Sequence, residues 1–459
     1  MSAPAHTSSP DGSFTVAARL VATLDRALPY AGPALALALG AIALGRRALD
    51  VDEAAAVAAA TGSFSDVVER ALSDDPARAG YLALLQPVVA WNDGALWVRV
   101  PSVLAGVVAA IAAYRLGRRL AGRHAGAAAS LLLASSLGVV LLTRSVGPLP
   151  LALAAMLVSS ALFARAVDRG NIAWWAVYAV SAALLPLTHP IAASALAAQL
   201  VALALARHRV DLRVALPAAG IATVECGLFL VAAALDRADA LDGAGPLELA
   251  DLGTGVGRAF GWSPVLAGLA AWGLVWLWRR DARTDAWQAA LVTGLVAMPA
   301  VFVLAAGAAL PVFPREALTT AAGGAALAAG IGLVGIGDRA LRIAAVASVA
   351  AVAVAAIVTA AVEDPEEDWA VAARIARSES TARDTVVVLP PRAAAALRHA
   401  APGLRTSAVG RGEAVTVVIV GDPAQAVGAA RQVVSPPRYA LLEQRSAGTR
   451  VVVQRWVRP

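Results

Sequence analysis

Long apolar stretches recur along most of this sequence, and they limit its fold more than any other feature. Eleven of them approach the ~20 residues that an α-helix needs to cross a lipid bilayer. They lack the alternation of apolar and polar residues seen in barrel strands, so they predict transmembrane helices. The expected spans are 27–45, 96–114, 125–142, 148–164, 172–187, 190–206, 214–235, 261–278, 286–310, 317–336 and 343–362.

The composition fits a chain that lies mostly in lipid. Hydrophobic residues make up 59% of the 459 residues and charged residues 15%, and the mean hydropathy is +0.69. A water-soluble globular protein cannot bury so much apolar surface. The net charge of +6 is typical of basic cytoplasmic loops, and we expect no nucleic-acid partner. Residues 1–26 lack a basic start followed by a small-residue cleavage site, so we expect a cytoplasmic tail and a retained first span.

Arginines mark one set of loops between the spans. Five basic loops alternate with loops that are acidic or short. By the positive-inside rule we expect the basic loops, and the N-terminus with them, in the cytoplasm. The basic loops contain residues 115–123, 165–169, 207–213, 279–283 and 339–342. The segments expected outside are the one after Leu49, the turns 143–147, 188–190 and 311–316, the loop 236–258 and the C-terminal tail.

The sequence therefore predicts a polytopic α-helical membrane protein with a second, extracytoplasmic α/β domain. The transmembrane domain covers residues 27–362 and the C-terminal domain residues 363–459. The first outer loop, residues 46–95, is long enough for short amphipathic helices at 65–72 and 81–91 on the membrane surface. The C-terminal domain has enough residues for its own core. Its expected strands are 386–389, 415–420 and 451–453, and its expected helices are 369–378, 391–399 and 424–433.

Three carboxylates, Asp50, Asp52 and Glu53, follow the first span within four residues. Carboxylates are costly next to lipid and usually mark a pocket, a partner or water. At the outer face they could supply a general base for a hydroxyl nucleophile, or hold a divalent cation. A structural alternative is that Asp52 and Glu53 cap a helix starting at Ala54, because acidic groups favour a helix N-terminus. The two interpretations are compatible.

Other polar side chains are expected at the same face. Arg144 and Arg315 suit a phosphate group, because a guanidinium forms bidentate hydrogen bonds, although an arginine at an interface can also extend to lipid headgroups. His189, in a Thr-His-Pro turn, is equally consistent with a structural histidine at a helix break. Glu225 lies inside the seventh span, where a carboxyl is either a functional group or a neutral group hydrogen-bonded between helices.

Six short motifs occur in an order that resembles a known family. They are LDVDEA at 49–54 followed by GSF at 62–64, WVRVPSVLAG at 97–106, YRLGRR at 114–119, LTH at 187–189, PR at 314–315 and DWAVA at 368–372. Together they resemble the GT-C superfamily of membrane glycosyltransferases, in the bacterial branch related to protein O-mannosyltransferases and aminoarabinose transferases.

This resemblance implies transfer of a sugar from a polyprenyl-phosphate donor to a glycan, lipid or protein acceptor on the outer face of the cytoplasmic membrane. It implies that Asp52 is the catalytic base, with Glu53 beside it. Arg315, together with Arg46 or Arg47, would hold the donor phosphate. Further candidates for substrate binding are Asp50, Asp74, Tyr81, Arg144, His189 and Glu316. No cofactor is implied with certainty, although the clustered acids could hold a divalent cation.

The sequence departs from the family pattern in three places. The segment DDPAR at 74–78 lacks the histidine of relatives and leaves Tyr81 as the tyrosine of this region. The turn 144–149 lacks an acid and an aromatic residue, and Glu316 stands where relatives have tyrosine. These departures favour an alternative, a non-catalytic relative that binds a lipid-linked sugar or a partner protein. A transporter is a third hypothesis. The small number of charged residues inside the spans argues against it; Arg99 and Glu225 are the clearest of these residues.

Overall fold

The computed structural model describes residues 11–458 with several gaps. The residues outside this description are 1–10, 43, 46, 75, 238–248, 282–285, 310–314, 363–367, 380–384, 402–403, 405, 408–413, 422–424, 435–438 and 459. The predicted phosphate ligand Arg46 lies outside the described residues.

Helices form the described chain up to residue 362. They are α1 (Asp11–Ala41), α2 (Val51–Ala59), α3 (Phe64–Asp74), α4 (Ala79–Trp91), α5 (Ala95–Ala121), α6 (Arg123–Ser135), α7 (Leu137–Thr143), α8 (Leu149–Arg169), α9 (Ile172–Ala183), α10 (Leu185–Thr188), α11 (Ala193–Ala206), α12 (Leu212–Arg237), α13 (Leu249–Ala259), α14 (Pro264–Asp281), α15 (Ala286–Ala309), α16 (Ala322–Gly335) and α17 (Arg339–Val362). Short 3₁₀ segments occur at Pro76–Arg78, Pro190–Ala192 and Arg315–Ala321.

Several of these helices can cross a membrane. In the described part, five are long and apolar enough to do so, and the number is up to seven when each of two bent pairs counts as one span. The prediction of several transmembrane helices is therefore confirmed, whereas the count of eleven is not. One reason is that helices such as α9 and α11 are apolar but shorter than a full span.

Sharp bends occur at two of the expected spans. The third divides into α6 and α7, which meet at Ser136 with an angle of 63°. At the start of the eighth, which corresponds to α14, α13 and α14 meet at 79°. Gly261 and Trp262 have φ of 57° and 56° at this second bend, a left-handed conformation that ends a helix. The second half of the expected loop 236–258 contains α13, a helix that the sequence did not predict.

Four polar side chains inside the bundle are hydrogen-bonded to one another. The Tyr178 hydroxyl donates to Oε1 of Gln199 at 3.0 Å, and Nε2 of Gln199 reaches the hydroxyls of Ser159 and Ser160 at 3.2 Å. These four side chains are buried and connect α8, α9 and α11. Buried polar groups need such partners, because an unsatisfied one is costly. Glu225 of α12 differs, since it is exposed on its helix; this disagrees with the alternative in which it is hydrogen-bonded between helices.

In its described residues, the C-terminal domain is a five-stranded mixed sheet with helices, which confirms the predicted small α/β domain. Its strands are β1 (Thr385–Leu389), β2 (Thr406–Ser407), β3 (Ala414–Val420), β4 (Ala440–Ser446) and β5 (Val451–Val457), and its helices are α18 (Trp369–Glu379), α19 (Ala394–Ala400) and α20 (Ala426–Val433). The strand order is β2-β1-β3-β5-β4, with β1 parallel to β2 and β3, and β5 antiparallel to β3 and β4. A row of valines, Val388, Val418 and Val453, crosses three strands in register.

One hydrophobic core joins this domain to the first outer loop. Val57 of α2, Val146 of the turn before α8, Trp369 of α18 and Leu397 of α19 are buried together, and the valine row lies in the same core. α19 packs directly against α2. Three segments that the sequence placed on one side of the membrane therefore lie at one end of the molecule.

Candidate functional site

The first turn of α2 sends its carboxylates in different directions. Asp50 is the N-cap, and its Oδ1 accepts a hydrogen bond from the backbone N–H of Glu53 at 2.8 Å. In return, Oε2 of Glu53 accepts from the backbone N–H of Asp50 at 3.1 Å. This capping box satisfies two amide groups of the helix start. The expectation of a cap by Asp52 and Glu53 on a helix from Ala54 is thus wrong in detail, because Asp50 is the cap and the helix begins at Val51.

Glu53 points inward and forms a buried ion pair with Arg99 of α5. The Nε–Oε1 distance is 3.0 Å and the Nη2–Oε2 distance is 2.5 Å, with the two side chains 3–4% exposed. The other N–H groups of Arg99 donate to the carbonyl oxygens of Leu44 (2.8 Å), Arg47 (2.9 Å) and Ala48 (3.1 Å). Oε1 of Glu53 also accepts from the N–H of Val146 at 2.9 Å. The pair therefore links the chain before α2, α2 itself and the turn before α8.

These contacts use the hydrogen-bonding capacity of both side chains. A guanidinium has five N–H groups and a carboxylate about four acceptor positions, and all of them have partners here. Through these contacts Glu53 positions the neighbouring backbone segments. The catalytic role expected for Glu53 from the sequence stays a prediction.

Asp52 faces outward and is exposed. Successive residues of a helix point about 100° apart, so the inward position of Glu53 turns Asp52 away from the core. Asp50 is partly buried. Its pKa is raised to about 6, mainly by burial and to a smaller extent by the negative charge of Glu53. The two aspartates therefore differ: Asp50 stabilises the helix start, while Asp52 is available to a bound molecule.

Arg144, in the turn after α7, brings a cation to the same place. Its pKa is lowered by burial and by the nearby guanidinium groups of Arg47 and Arg99. Among the described residues, no acceptor is hydrogen-bonded to the Arg144 side chain. Arg47 is exposed and lies close enough to Asp50 to lower its pKa. A partly buried cation that faces other cations favours an anionic ligand.

Tyr81 is buried close to Glu53, whereas Asp74 contacts only the adjacent Ser73 in the described residues. The Tyr81 side chain is 1% exposed, and its pKa is raised by burial and by the charge of Glu53. Asp74, at the end of α3, is exposed and accepts a hydrogen bond from the Ser73 hydroxyl at 3.0 Å. The structure thus brings Tyr81 to the carboxylates and gives no such relation for Asp74.

His189 is buried at a helix break close to the first outer loop. Its Nδ1 accepts from the N–H of Ile191 at 3.2 Å, which caps the 3₁₀ turn that follows. The preceding residues pack tightly on α4, since a Cβ atom at Gly80 would overlap the carbonyl oxygen of Leu187. The hydrogen bond from Ile191 to Nδ1 therefore supports the interpretation of His189 as a structural histidine at a helix break.

The third outer turn contains an ion pair that the sequence did not reveal. Oε1 of Glu316 accepts from Nη1 of Arg258 in α13 at 2.8 Å, and both side chains are substantially exposed. Arg315 begins the 3₁₀ segment before α16, and its side chain lies outside the description. Only the acidic residue in a short turn could have suggested a basic partner, and nothing in the sequence specified Arg258.

The clustered acids do not form the cation site considered from the sequence. Where the chain is described, no group of three or more His, Cys, Asp or Glu side chains is placed to hold a metal ion. The reason is geometric, because Glu53 turns into Arg99 while Asp52 faces outward.

Comparisons with known proteins agree with this architecture. Residues 76–234 match the model of the dolichyl-phosphate-mannose-protein mannosyltransferase family, and no curated protein sequence matches the chain. Apo ArnT from Cupriavidus metallidurans has a similar structure, with a TM-score of 0.60 at 13% identity over 96% of this chain and 98% of ArnT. The chain has a GT-C fold.

Two further GT-C structures are similar over most of this chain. ArnT from Cupriavidus metallidurans bound to undecaprenyl phosphate gives a TM-score of 0.57 at 12% identity, over 92% of this chain and 97% of that one. The archaeal oligosaccharyltransferase AglB from Archaeoglobus fulgidus, in complex with an inhibitory peptide and a dolichol-phosphate, gives a TM-score of 0.53 at 11% identity. The match covers 82% of this chain and 63% of AglB. With its several apolar helices, the chain is a multi-pass membrane protein.

Proposed function

We propose that this protein is a membrane glycosyltransferase that moves a sugar from a polyprenyl-phosphate donor to an acceptor on the outer face of the cytoplasmic membrane. The observation that carries the proposal is the exposed Asp52 in the first turn of α2, on a scaffold fixed by the Glu53–Arg99 pair. The half-buried Arg144 lies close to Arg99 of that pair and to Arg47. The alternation of basic loops supports the outward position of this end. The polyprenyl phosphates bound by similar GT-C proteins support the donor class.

In the proposed reaction, Asp52 accepts the proton of an acceptor hydroxyl as its oxygen attacks the anomeric carbon of the donor. The bond between that carbon and the phosphate oxygen breaks, and the polyprenyl phosphate departs with the electron pair. Arg144 and Arg47 would neutralise the developing charge on the phosphate. Arg315 keeps its predicted place near the phosphate as part of this proposal.

The test is the variant Asp52→Asn, compared with Asp66→Asn. Asp66 is an exposed first-turn aspartate of α3, so it carries the same chemical change at a matched position. Purified full-length protein is given polyprenyl-phosphate donors with labelled sugars, including mannose and aminoarabinose. We expect Asp52→Asn to abolish transfer with unchanged apparent melting temperature and Asp66→Asn to retain it. Transfer by Asp52→Asn would overturn the assignment of the base.

A second candidate is a non-catalytic protein that binds a lipid-linked sugar or a partner protein. Glu316, which replaces the tyrosine of relatives, favours it because its carboxylate is engaged with Arg258. The same assay separates the two: this candidate predicts that wild-type protein binds undecaprenyl phosphate and transfers no sugar from any donor.

A further inference from the structure

A groove opens between α11 and α12 at the end of the molecule opposite Asp52. α11 begins just after His189, near the candidate site, and ends at Ala206; the groove lies along its second half. Its volume is about 540 Å³. Its walls are apolar, with Leu200 on α11 and Leu216 and Val224 on α12 among the lining residues.

The groove exists because consecutive helices diverge. α12 packs mainly against α9, and only lightly against α11. Gly220, which lines the groove, has no atom within 4 Å of the place where a Cβ would lie. The groove is therefore open at Gly220, and a larger side chain at this position would occupy it.

The length of the groove matches one half of a bilayer. On α12 it runs from Leu212 to Val224, which corresponds to about 18 Å of helix. The hydrocarbon core of a bilayer is about 30 Å thick, so one leaflet supplies about half of that. An acyl chain of a single leaflet can therefore lie along the groove.

One end of the groove is cationic. Arg207 lines it, and its Nε donates to Nε2 of His208 at 3.3 Å. Within the described residues its two terminal nitrogens have no acceptor, and these are the atoms that hold a phosphate bidentately. Arg209 lies in the same loop, and Arg213 lies in the first turn of α12. Asp211, the acid between them, accepts from the backbone N–H of Arg213.

We propose that this groove binds one anionic phospholipid, with an acyl chain along α12 and the phosphate held by Arg207. The apolar walls, the length of one leaflet and the cationic end together fit this ligand. The site is separate from the candidate active site and does not depend on its activity.

The test measures lipid retention by the full-length protein in detergent, using native mass spectrometry. The probes are phosphatidylglycerol and phosphatidylcholine with identical acyl chains. We expect wild-type protein to retain one phosphatidylglycerol roughly fivefold more often than phosphatidylcholine, since one arginine near a lipid surface favours an anionic headgroup by about that factor. Arg207→Gln should keep lipid retention and lose the preference.

A matched pair of variants tests the groove itself. Gly220→Leu should lower retention of both lipids several-fold, by filling the space. Gly227→Leu is the control, because Gly227 is also on α12, also has open space at its Cβ position and does not line the groove. Apparent melting temperatures show that both variants fold. Equal retention by Gly220→Leu and Gly227→Leu, or no headgroup preference in wild-type protein, would overturn the proposal. Loss of a dimer in Gly220→Leu without loss of lipid would assign the groove to a second copy instead.

Discussion

Glu53 and Arg99, 46 positions apart in the sequence, form a buried bidentate ion pair in which every hydrogen-bonding group of both side chains is used. The pair fixes the backbone before α2 and the amide of Val146 at once. Asp52 directly precedes Glu53 in the chain, and Arg144 lies two residues before Val146. The geometry of the candidate site therefore depends on a contact between two residues that need not touch the substrate.

Removal of one partner of this pair should destabilise the protein strongly. We expect Glu53→Gln or Arg99→Gln to lower the free energy of unfolding by about 3–5 kcal/mol, because each leaves an uncompensated buried charge. The combined variant should lose less than the sum of the two. Denaturant unfolding in detergent measures these differences.

The control is the Arg258–Glu316 pair, in which both side chains are exposed. Glu316→Gln should change stability by less than about 1 kcal/mol. A similar small effect of Glu53→Gln would show that the buried pair does not hold the loop.

The stability of the protein should fall as the pH rises through the titration of Asp50. Its pKa is raised from 3.8 to about 6 in the fold, with Glu53, Asp52 and Arg47 facing it. The folded state therefore binds more protons than the unfolded state between these values, and stability decreases from pH 4 to pH 6 and levels off above. The change is at most roughly 3 kcal/mol. Asp50→Asn keeps a good N-cap and should remove this pH dependence; an unchanged profile would contradict the role of Asp50.

Arg144 should contribute to donor binding more than to folding. Loss of a charge-assisted contact to the donor phosphate corresponds to roughly tenfold or more in affinity. We therefore expect Arg144→Gln to raise the KM for the polyprenyl-phosphate donor by that factor. Arg70→Gln is the control, because Arg70 is an exposed arginine of the first outer loop whose Nη2 donates to the carbonyl oxygen of Thr61. Equal KM values for the two variants would remove Arg144 from the phosphate site.

Gly80 should tolerate no side chain, because the backbone of Leu187 lies where a Cβ would be. Gly80→Ala must separate α4 from α10, and we expect a loss of about 1–3 kcal/mol in stability. Gly268→Ala, in α14, has open space at the same atom and should be neutral or stabilising. Thermal unfolding of the two variants gives the comparison, and equal melting temperatures would show that the contact relaxes freely.

Sequence patterns identified most of the large elements, because long apolar runs and short valine-rich runs are local properties. They did not reveal β4, whose residues are mostly exposed and lack an apolar period. They also did not reveal α13, since a helix of mixed polarity next to a sharp bend resembles a loop. The Arg258–Glu316 pair was missed because its partners lie 58 positions apart.

The sequence by itself determined that the chain has several membrane-crossing helices, a small C-terminal α/β domain and an acidic cluster after the first helix. Only the tertiary structure decided the role of each acid in that cluster. Asp52 and Glu53 are adjacent, and adjacent side chains on an α-helix always point in different directions, whatever the rotation of the helix about its axis. The rotation of α2 is fixed by Arg99 and Val146, which the chain brings to Glu53 from 46 and 93 positions away. A contact of that range leaves no local pattern, and it is the reason that Glu53 is buried and Asp52 is exposed.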